Sequence, residues 1–172
     1  MMVETENLRI IPLRATELEC YLQGEGKLEK QFHLQLTGRM VSPSVKDRIS
    51  STVLPRLRTM EGYEYLFTTF WIVVEKASSV IVAELGFKGK PDRQGNIEIG
   101  YGTLPDHRRK GIMTEAVGGM IRWAASVPEI RCILAETDKN NQASIRVLEK
   151  NHFIPFDLRK NMRWWKIQVS EL

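Results

Sequence analysis

A cluster of basic residues beside a glycine stands out in the middle of the chain. Arg108, Arg109 and Lys110 directly precede Gly111, and an apolar stretch with helical spacing follows. Amides at a helix N-terminus bind anions, and a glycine lets a phosphate approach the backbone closely. A basic run is also typical of a solvated turn. The cluster matches neither G-x-G-x-x-G nor G-x-x-x-x-G-K-[ST], so its position in the fold must decide between the two interpretations.

The elements predicted on either side place the cluster inside a βαβ unit. Residues 96–104 ("NIEIGYGTL") indicate a strand, residues 113–127 an amphipathic helix that Pro128 ends, and residues 131–138 a second strand. A helical crossover of this kind sets its two strands side by side and parallel. A basic glycine turn between strand and helix favours phosphate binding over a solvated turn.

The remaining segments predict one α+β domain over residues 1–172. Branched residues indicate a strand at 7–13, and residues 64–76 and 78–89 indicate a hairpin. Helical spacing marks residues 15–24, 45–60 and 140–151, with a kink or an end expected at Pro55. Residues 162–169 ("MRWWKIQV") complete the pattern as a closing strand.

The composition is typical of a globular cytoplasmic protein. Of the 172 residues 42% are hydrophobic and 27% charged, and the net charge of +4 suits an anionic cofactor. Cys20 and Cys132 sit among apolar neighbours, and no Cys/His spacing suggests a metal. The first residues do not resemble a signal peptide, and no stretch is apolar enough to span a membrane. Direct nucleic-acid binding is not expected, because the basic residues cluster at one turn.

Two stretches resemble the signatures of the GNAT acetyltransferases. "NIEIGYGTLPDHRRKGIMTEAV" is similar to the family's central motif, in the form found in the branch that acetylates the N-termini of ribosomal proteins. "NQASIRVLEKNHF" resembles the second signature, and "TENLRIIPLRATEL" resembles the start of that branch. The similarity covers nearly the whole chain in the right order. The matching residues are Glu98, Ile99, Gly100, Tyr101, Pro105, Arg108, Gly111, Glu115, Ala116, Asn141, Ser144, Arg146, Val147, Leu148, Glu149, Lys150 and Phe153.

This resemblance implies the GNAT fold and acetyl-CoA as the donor. The fold is a mixed, mostly antiparallel, twisted sheet of about seven strands with a central βαβ unit and about four helices. The strand at 96–104 is expected to carry a bulge, which Gly100 and Gly102 suit, and to splay from its neighbour. The residues that the resemblance places at the cofactor are Gly102, Thr103, Leu104, Arg108, Arg109, Lys110, Gly111, Ile112, Met113, Asn141 and Ser144.

The resemblance also suggests catalytic residues. An amine attacks a thioester only when unprotonated, so the site needs a base and a way to stabilise the leaving thiolate. Glu98 and Glu84 are the candidate bases, with Glu136 a third and weaker option. Glu98 is equally consistent with a solvent-facing residue of its strand, and Glu84 could instead form a salt bridge with a basic partner. Many members carry a tyrosine where this chain has Leu148, so Ser144 is the candidate for contacting the sulfur. Tyr101 is expected to be a packing aromatic.

Three positions depart from the family pattern. Glu84 replaces a residue that is often glycine in the second strand of the hairpin. Met113 stands where Gly or Ala is usual in the loop. His152 replaces the glycine that usually supplies a left-handed residue after the second helix, so we expect a different local geometry there.

The acceptor is left open by the sequence. It is an amine, either a protein N-terminus or a small molecule such as a polyamine or aminoglycoside-like compound. The chain is either a monomer or a homodimer. An acyl-CoA sensor without catalysis is the alternative function.

Overall fold

The computed structural model describes residues 1–24 and 26–169, and their strands form one mixed sheet. The order across the sheet is β1-β2-β3-β4-β5-β6-β8-β7, and only the β5–β6 pair is parallel. The strands are β1 (Val3–Glu4), β2 (Leu8–Pro12), β3 (Trp71–Glu75), β4 (Val80–Phe87), β5 (Asn96–Thr103), β6 (Cys132–Asp138), β7 (Ile154–Arg159) and β8 (Met162–Gln168).

Helices cover both faces of this sheet. A π-helical segment, Ile49–Val53, joins α3 to α4 and lies directly before Pro55, so the irregularity predicted at this proline takes the form of a wider turn. Two short 3₁₀ segments are Glu64–Phe67 and Pro105–His107. The α-helices are α1 (Ala15–Gln23), α2 (Lys27–Gln31), α3 (Pro43–Arg48), α4 (Leu54–Leu57), α5 (Ile112–Ala125) and α6 (Gln142–Lys150).

The predicted α+β class, the mixed sheet and the central βαβ unit are confirmed, but one boundary was wrong. Over the described residues the sheet has eight strands, against about seven predicted, and counting α3, the π-helical segment and α4 as one gives five helices, against about four. The strand predicted over 64–76 begins only at Trp71. Leu66 and Phe67 are buried on a 3₁₀ turn, and the Trp71 indole donates to the Leu66 carbonyl at 3.0 Å. The aromatic density there reflected burial, not extended backbone.

Two cores lie on opposite faces of the sheet. On one face, α5 and α6 pack on β5 and β6 through residues such as Ile97, Val117 and Leu148. The helices before β3 cover β3 and β4 on the other face, through residues such as Leu18 and Ile49. None of the helices in the described part of the chain is long and apolar enough to cross a membrane.

The parallel pair at the centre of the sheet opens toward one end. β5 and β6 pair only from Asn96↔Cys132 to Ile99↔Ala135, although both strands continue beyond these residues. The expected splay is therefore present. The expected bulge at Gly100 and Gly102 was wrong, because β5 pairs with β4 in regular register as far as Thr103. The β3–β4 pair instead carries a register shift, between Val73 and Val74.

Candidate active site

The basic cluster lies on the loop between β5 and α5, at the end of the sheet where β5 and β6 part. Arg109 (φ 62°) and Gly111 (φ 78°) both have left-handed backbones, and Gly111 is the residue before the first turn of α5. Within the described chain, the six amides of residues 109–114 have no hydrogen-bond acceptor, whereas the Arg108 amide reaches the Pro105 carbonyl at 3.4 Å. This row of unpaired amides at a helix start is a cradle for an anion.

The side chains of this loop separate into a buried and an exposed set. Ile112 and Met113 point into the core between α5 and the sheet. Met113 therefore contributes its amide to the loop while its side chain packs in the core. Arg109 and Lys110 are exposed, and the Arg108 Nε atom donates to the Thr103 carbonyl at 3.3 Å. The anion cradle is thus formed by backbone amides, and the three cations lie around it.

A pair of hydroxyl groups spans the opening between β5 and α6. The Tyr101 and Ser144 hydroxyl oxygens are 2.9 Å apart. Burial raises the pKa of Tyr101 to about 12, so its hydroxyl is protonated at neutral pH. Asn141 begins α6, where its side-chain oxygen accepts from the Ser144 amide at 3.1 Å. The cap fixes the helix start, and the helix start in turn places the Ser144 hydroxyl.

A cleft of about 360 Å³ lies on the other side of Tyr101, between α3 and the surface of β4 and β5. Glu84 and the neighbouring glycines form its base, since Glu84 pairs with Gly102 and Gly86 with Gly100 across the two strands. The full lining is Ser44, Val45, Arg48, Thr69, Phe70, Glu84, Leu85, Gly86, Phe87, Gly100, Tyr101 and Gly102.

Glu84 belongs to a network of buried polar groups behind this cleft. The Tyr21 hydroxyl donates to Glu84 Oε2, and the Arg39 guanidinium stacks over the Tyr21 ring at 4.2 Å. Arg39 also pairs with Glu29 at 3.1 Å, with both side chains almost fully buried. Burial raises the pKa of Glu84, while the Tyr21 hydrogen bond and the Arg39 charge oppose the rise. The carboxylate is thus a stronger base than an exposed one and is held in a fixed orientation.

Sequence reasoning missed Tyr21, Arg39 and Glu29. None of them lies in a motif, and Tyr21 and Glu84 are 63 residues apart in the chain. The only signal in the sequence was Glu84 itself, a carboxylate within an apolar strand, which indicated that a partner must exist.

The other two carboxylate candidates lie outside the cleft. Glu98 forms an ion pair with Lys88 and sits on β5 before the strands part. Glu136 lies opposite Trp164 in the β6–β8 register. Among the residues that line the cleft, Glu84 is the carboxylate. Over the described residues, His, Cys, Asp and Glu form no group of three or more that could hold a metal ion.

The chain is similar in sequence to known proteins. A family profile described as "Acetyltransferase (GNAT) domain" matches residues 31–154. The Bacillus subtilis (strain 168) protein "Uncharacterized N-acetyltransferase YjdG" is 30% identical over 156 residues, which cover 90% of each chain.

Similar folds occur among solved structures. One is a ribosomal-protein-S5-alanine acetyltransferase from Vibrio fischeri, with a TM-score of 0.70, 16% identity, and coverage of 99% of this chain and 98% of that one. Another is RimL, described as a ribosomal L7/L12 alpha-N-protein acetyltransferase in complex with coenzyme A, with a TM-score of 0.68, 14% identity, and 99% coverage of both chains.

Proposed function

Because this chain belongs to the GNAT acetyltransferase family, we propose that residues 1–172 act as one domain that transfers an acetyl group from acetyl-CoA to an amine by direct attack. The observation that carries the proposal is the position of Tyr101. Tyr101 borders the cleft that contains Glu84, and its hydroxyl contacts Ser144 on the side of the anion cradle. The two halves of a bisubstrate site therefore meet at one residue.

The cofactor half is supported by unpaired backbone groups. We assign the pyrophosphate of acetyl-CoA to the loop at residues 108–113, where the amides of residues 109–113 find no acceptor among the described residues and three cations lie nearby. The pantetheine arm is assigned to the backbone of Gly102, Thr103 and Leu104, since the edge of β5 that faces β6 is unpaired beyond Ile99. An extended arm can add to such an edge as a further strand.

The chemistry needs one group to accept a proton and one to donate a proton. Acetyl-CoA supplies an acetyl thioester. We assign proton removal from the attacking amine to Glu84, which faces the cleft, rather than to Glu98, which Lys88 engages. The Ser144 hydroxyl, oriented by Tyr101, then donates to the sulfur as its bond to the acetyl carbon breaks. Leu148, at the position where many family members have tyrosine, is fully buried.

The acceptor belongs to one of two classes, a protein N-terminus or a small-molecule amine. RimL and the Vibrio fischeri enzyme are described as acetyltransferases of ribosomal proteins, which supports the first class. The modest size of the cleft supports the second, because ligand pockets begin at about 300 Å³.

Two measurements test the proposed function. Acetyl-CoA at 100 times its Kd stabilises a protein by about 2.7 kcal/mol, which corresponds to several degrees in Tm. Release of free thiol from acetyl-CoA, followed with a panel of peptides, amino acids and polyamines, then detects transfer. Absence of a thermal shift at saturating acetyl-CoA rejects the cofactor assignment. A thermal shift without thiol release on any amine identifies an acyl-CoA sensor instead.

A further inference from the structure

The floor of the cleft carries few side chains, and the charged one among them is Glu84. Gly102 leaves the strand surface open, since a Cβ atom added there would meet nothing within 4 Å, and one added at Gly100 would meet only the Lys88 side chain at 3.7 Å. At Gly86 the surface is covered by backbone, because an added Cβ would lie 2.7 Å from the Thr69 carbonyl oxygen. The open backbone next to Glu84 lets a small group reach the carboxylate. Glu84 Oε2 accepts from Tyr21, while Oε1 accepts no hydrogen bond from the described residues.

The mouth of the cleft carries one cation. Arg48, at the end of α3, lines the cleft with its guanidinium 5.8 Å from the centre of the Phe70 ring. Arg48 forms no salt bridge within residues 1–24 and 26–169. An arginine remains charged throughout the physiological pH range, and its planar group suits carboxylates. Arg48 is therefore a cation without an acidic partner in the described part of the chain.

The walls between these two charges are partly apolar. Val45 and Phe70 line the space, and Ser44 and Thr69 add hydroxyl groups. Leu85 and Phe87 border the cleft through their backbone, because their side chains are buried in the core on the opposite face of the sheet. The Thr69 hydroxyl already donates to the Leu13 carbonyl, so it is occupied. The cleft thus offers an anion at its base, a cation at its rim and apolar contacts between them.

On the basis of the proposed function, we infer that the acceptor is a small primary amine that carries a carboxylate a few bonds from its nitrogen. The amine lies at Glu84, the carboxylate pairs with Arg48, and the carbon chain contacts the apolar walls. Polyamines and aminoglycosides are disfavoured, because their additional positive charges face Arg48. A cleft of about 360 Å³ also suits a small acceptor better than an extended peptide.

The test compares matched acceptors that differ only in the anion. kcat/KM is measured for an amino acid and for its carboxamide, with wild-type protein and with Arg48→Gln. We expect wild type to favour the carboxylate, and Arg48→Gln to reduce that preference about tenfold or more through KM for the carboxylate, as expected for the loss of one charge-assisted contact. The amines of the amino acid and of its carboxamide differ in basicity. This difference cancels, because the ratio of the two kcat/KM values is compared between wild type and Arg48→Gln. Arg56→Gln removes an exposed arginine of α4 outside the cleft and leaves the preference unchanged.

A second variant reverses the charge. Arg48→Glu is expected to favour a diamine over the amino acid. If wild type prefers the carboxamide, a diamine or a longer peptide, or if Arg48→Gln keeps the carboxylate preference, the acceptor assignment is wrong while acetyl transfer stands. If no amine of any class is acetylated although acetyl-CoA binds, the proposed function fails as well.

Discussion

The two proposed halves of the candidate site, one for the cofactor and one for the acceptor, are built from different chemical groups. The proposed cofactor half consists mainly of backbone, with the amides of residues 109–114, which have no acceptor in the described part of the chain, and the edge of β5 that β6 leaves unpaired beyond Ile99. The acceptor half consists mainly of side chains, with Glu84 held by Tyr21 and Arg48 at the entrance. A backbone site depends on local conformation, whereas a side-chain site depends on which residues the surrounding helices bring together.

This difference has a functional consequence. Most side chains of the cofactor loop can change without altering the positions of the amides. The same acetyl donor can therefore be bound while the residues of the acceptor half, and with them the amine substrate, vary. Substitutions in the acceptor half change charge and shape directly. We therefore expect the two halves to respond oppositely to side-chain truncation and to backbone strain.

The largest effect is expected from strain in the cofactor half. Gly111→Val places a β-branched residue at φ 78°, a conformation that costs such residues about 1–3 kcal/mol or forces a rearrangement. We expect the helix start to shift and the thermal stabilisation by acetyl-CoA to be lost. Lys110→Ala keeps its amide and is expected to weaken binding by about tenfold or less, as is typical of one exposed charge.

A matched glycine controls for strain alone. Gly62 also has a left-handed backbone (φ 62°) with open space around its Cβ position, and it lies in a loop after α4. Gly62→Val should lower the free energy of unfolding by a similar amount, yet acetyl-CoA should raise its Tm as much as it raises that of wild type. An unchanged shift in Gly111→Val would show that the loop does not depend on this conformation.

The backbone conformation of the proposed cofactor half could be predicted from the sequence for the same reason. Residues 96–113 are contiguous, so a strand, a basic glycine turn and a helix start are visible in the order that builds the cradle. The acceptor half could not be predicted, because Tyr21, Arg39 and Glu84 come from separate elements. Only tertiary packing brings them together. The unpredicted 3₁₀ turn before β3 has a similar origin, since burial and strand propensity both enrich aromatic residues.

The next largest effect is expected from the acceptor half. Glu84→Gln keeps the shape and the hydrogen bond from Tyr21 but cannot take a proton, so kcat should fall by about 10²- to 10⁴-fold. Because burial raises the pKa of Glu84, wild-type activity should decline as the pH falls through that raised pKa, and the variant should lack this acid limb. The measurement is kcat/KM against pH with one amine acceptor.

Glu98→Gln provides the contrast on the same sheet surface. It removes a carboxylate that is paired with Lys88 outside the cleft, so we expect activity within about threefold of wild type, as for most exposed ion pairs. A greater loss in Glu98→Gln than in Glu84→Gln would reverse our assignment of the base.

A smaller effect is expected at the boundary between the halves. Ser144→Ala should lower kcat by about 10- to 100-fold, and Tyr101→Phe by about tenfold, because the tyrosine acts by orienting the serine hydroxyl. The double variant should be no slower than Ser144→Ala, since residues that act through one another are not additive.

Changing the thiol leaving group distinguishes a role of Ser144 and Tyr101 in protonating the sulfur from a role in packing. With a thioester whose thiol is more acidic, kcat of both variants should fall less relative to wild type, because the leaving thiolate then needs protonation less. Tyr63→Phe, which alters an exposed tyrosine bound to Glu129, is the control and should leave the rate unchanged. An additive double variant would separate the roles of Tyr101 and Ser144.

The smallest effect concerns a departure from the family pattern that lies at the far end of α6. Contrary to the expected change in geometry, His152 keeps the left-handed conformation (φ 62°) that glycine usually provides. Its amide donates to the Glu149 carbonyl and the Phe153 amide to the Leu148 carbonyl, the paired bonds of a Schellman motif. The motif therefore persists with a strained residue in it.

Relief of this strain should stabilise the fold without touching either half of the site. His152→Gly is expected to raise the free energy of unfolding by about 0.5–1 kcal/mol, since left-handed backbone costs an L-residue about 1–2 kcal/mol and glycine loses part of that gain through the entropy of the unfolded chain. Lys160→Gly, at a left-handed position in the β7–β8 turn, should show a gain of similar size. Denaturant unfolding measures both, and acetyl-CoA affinity should stay constant. A loss of stability in His152→Gly alone would mean that the imidazole contributes more through its contacts than its backbone conformation costs.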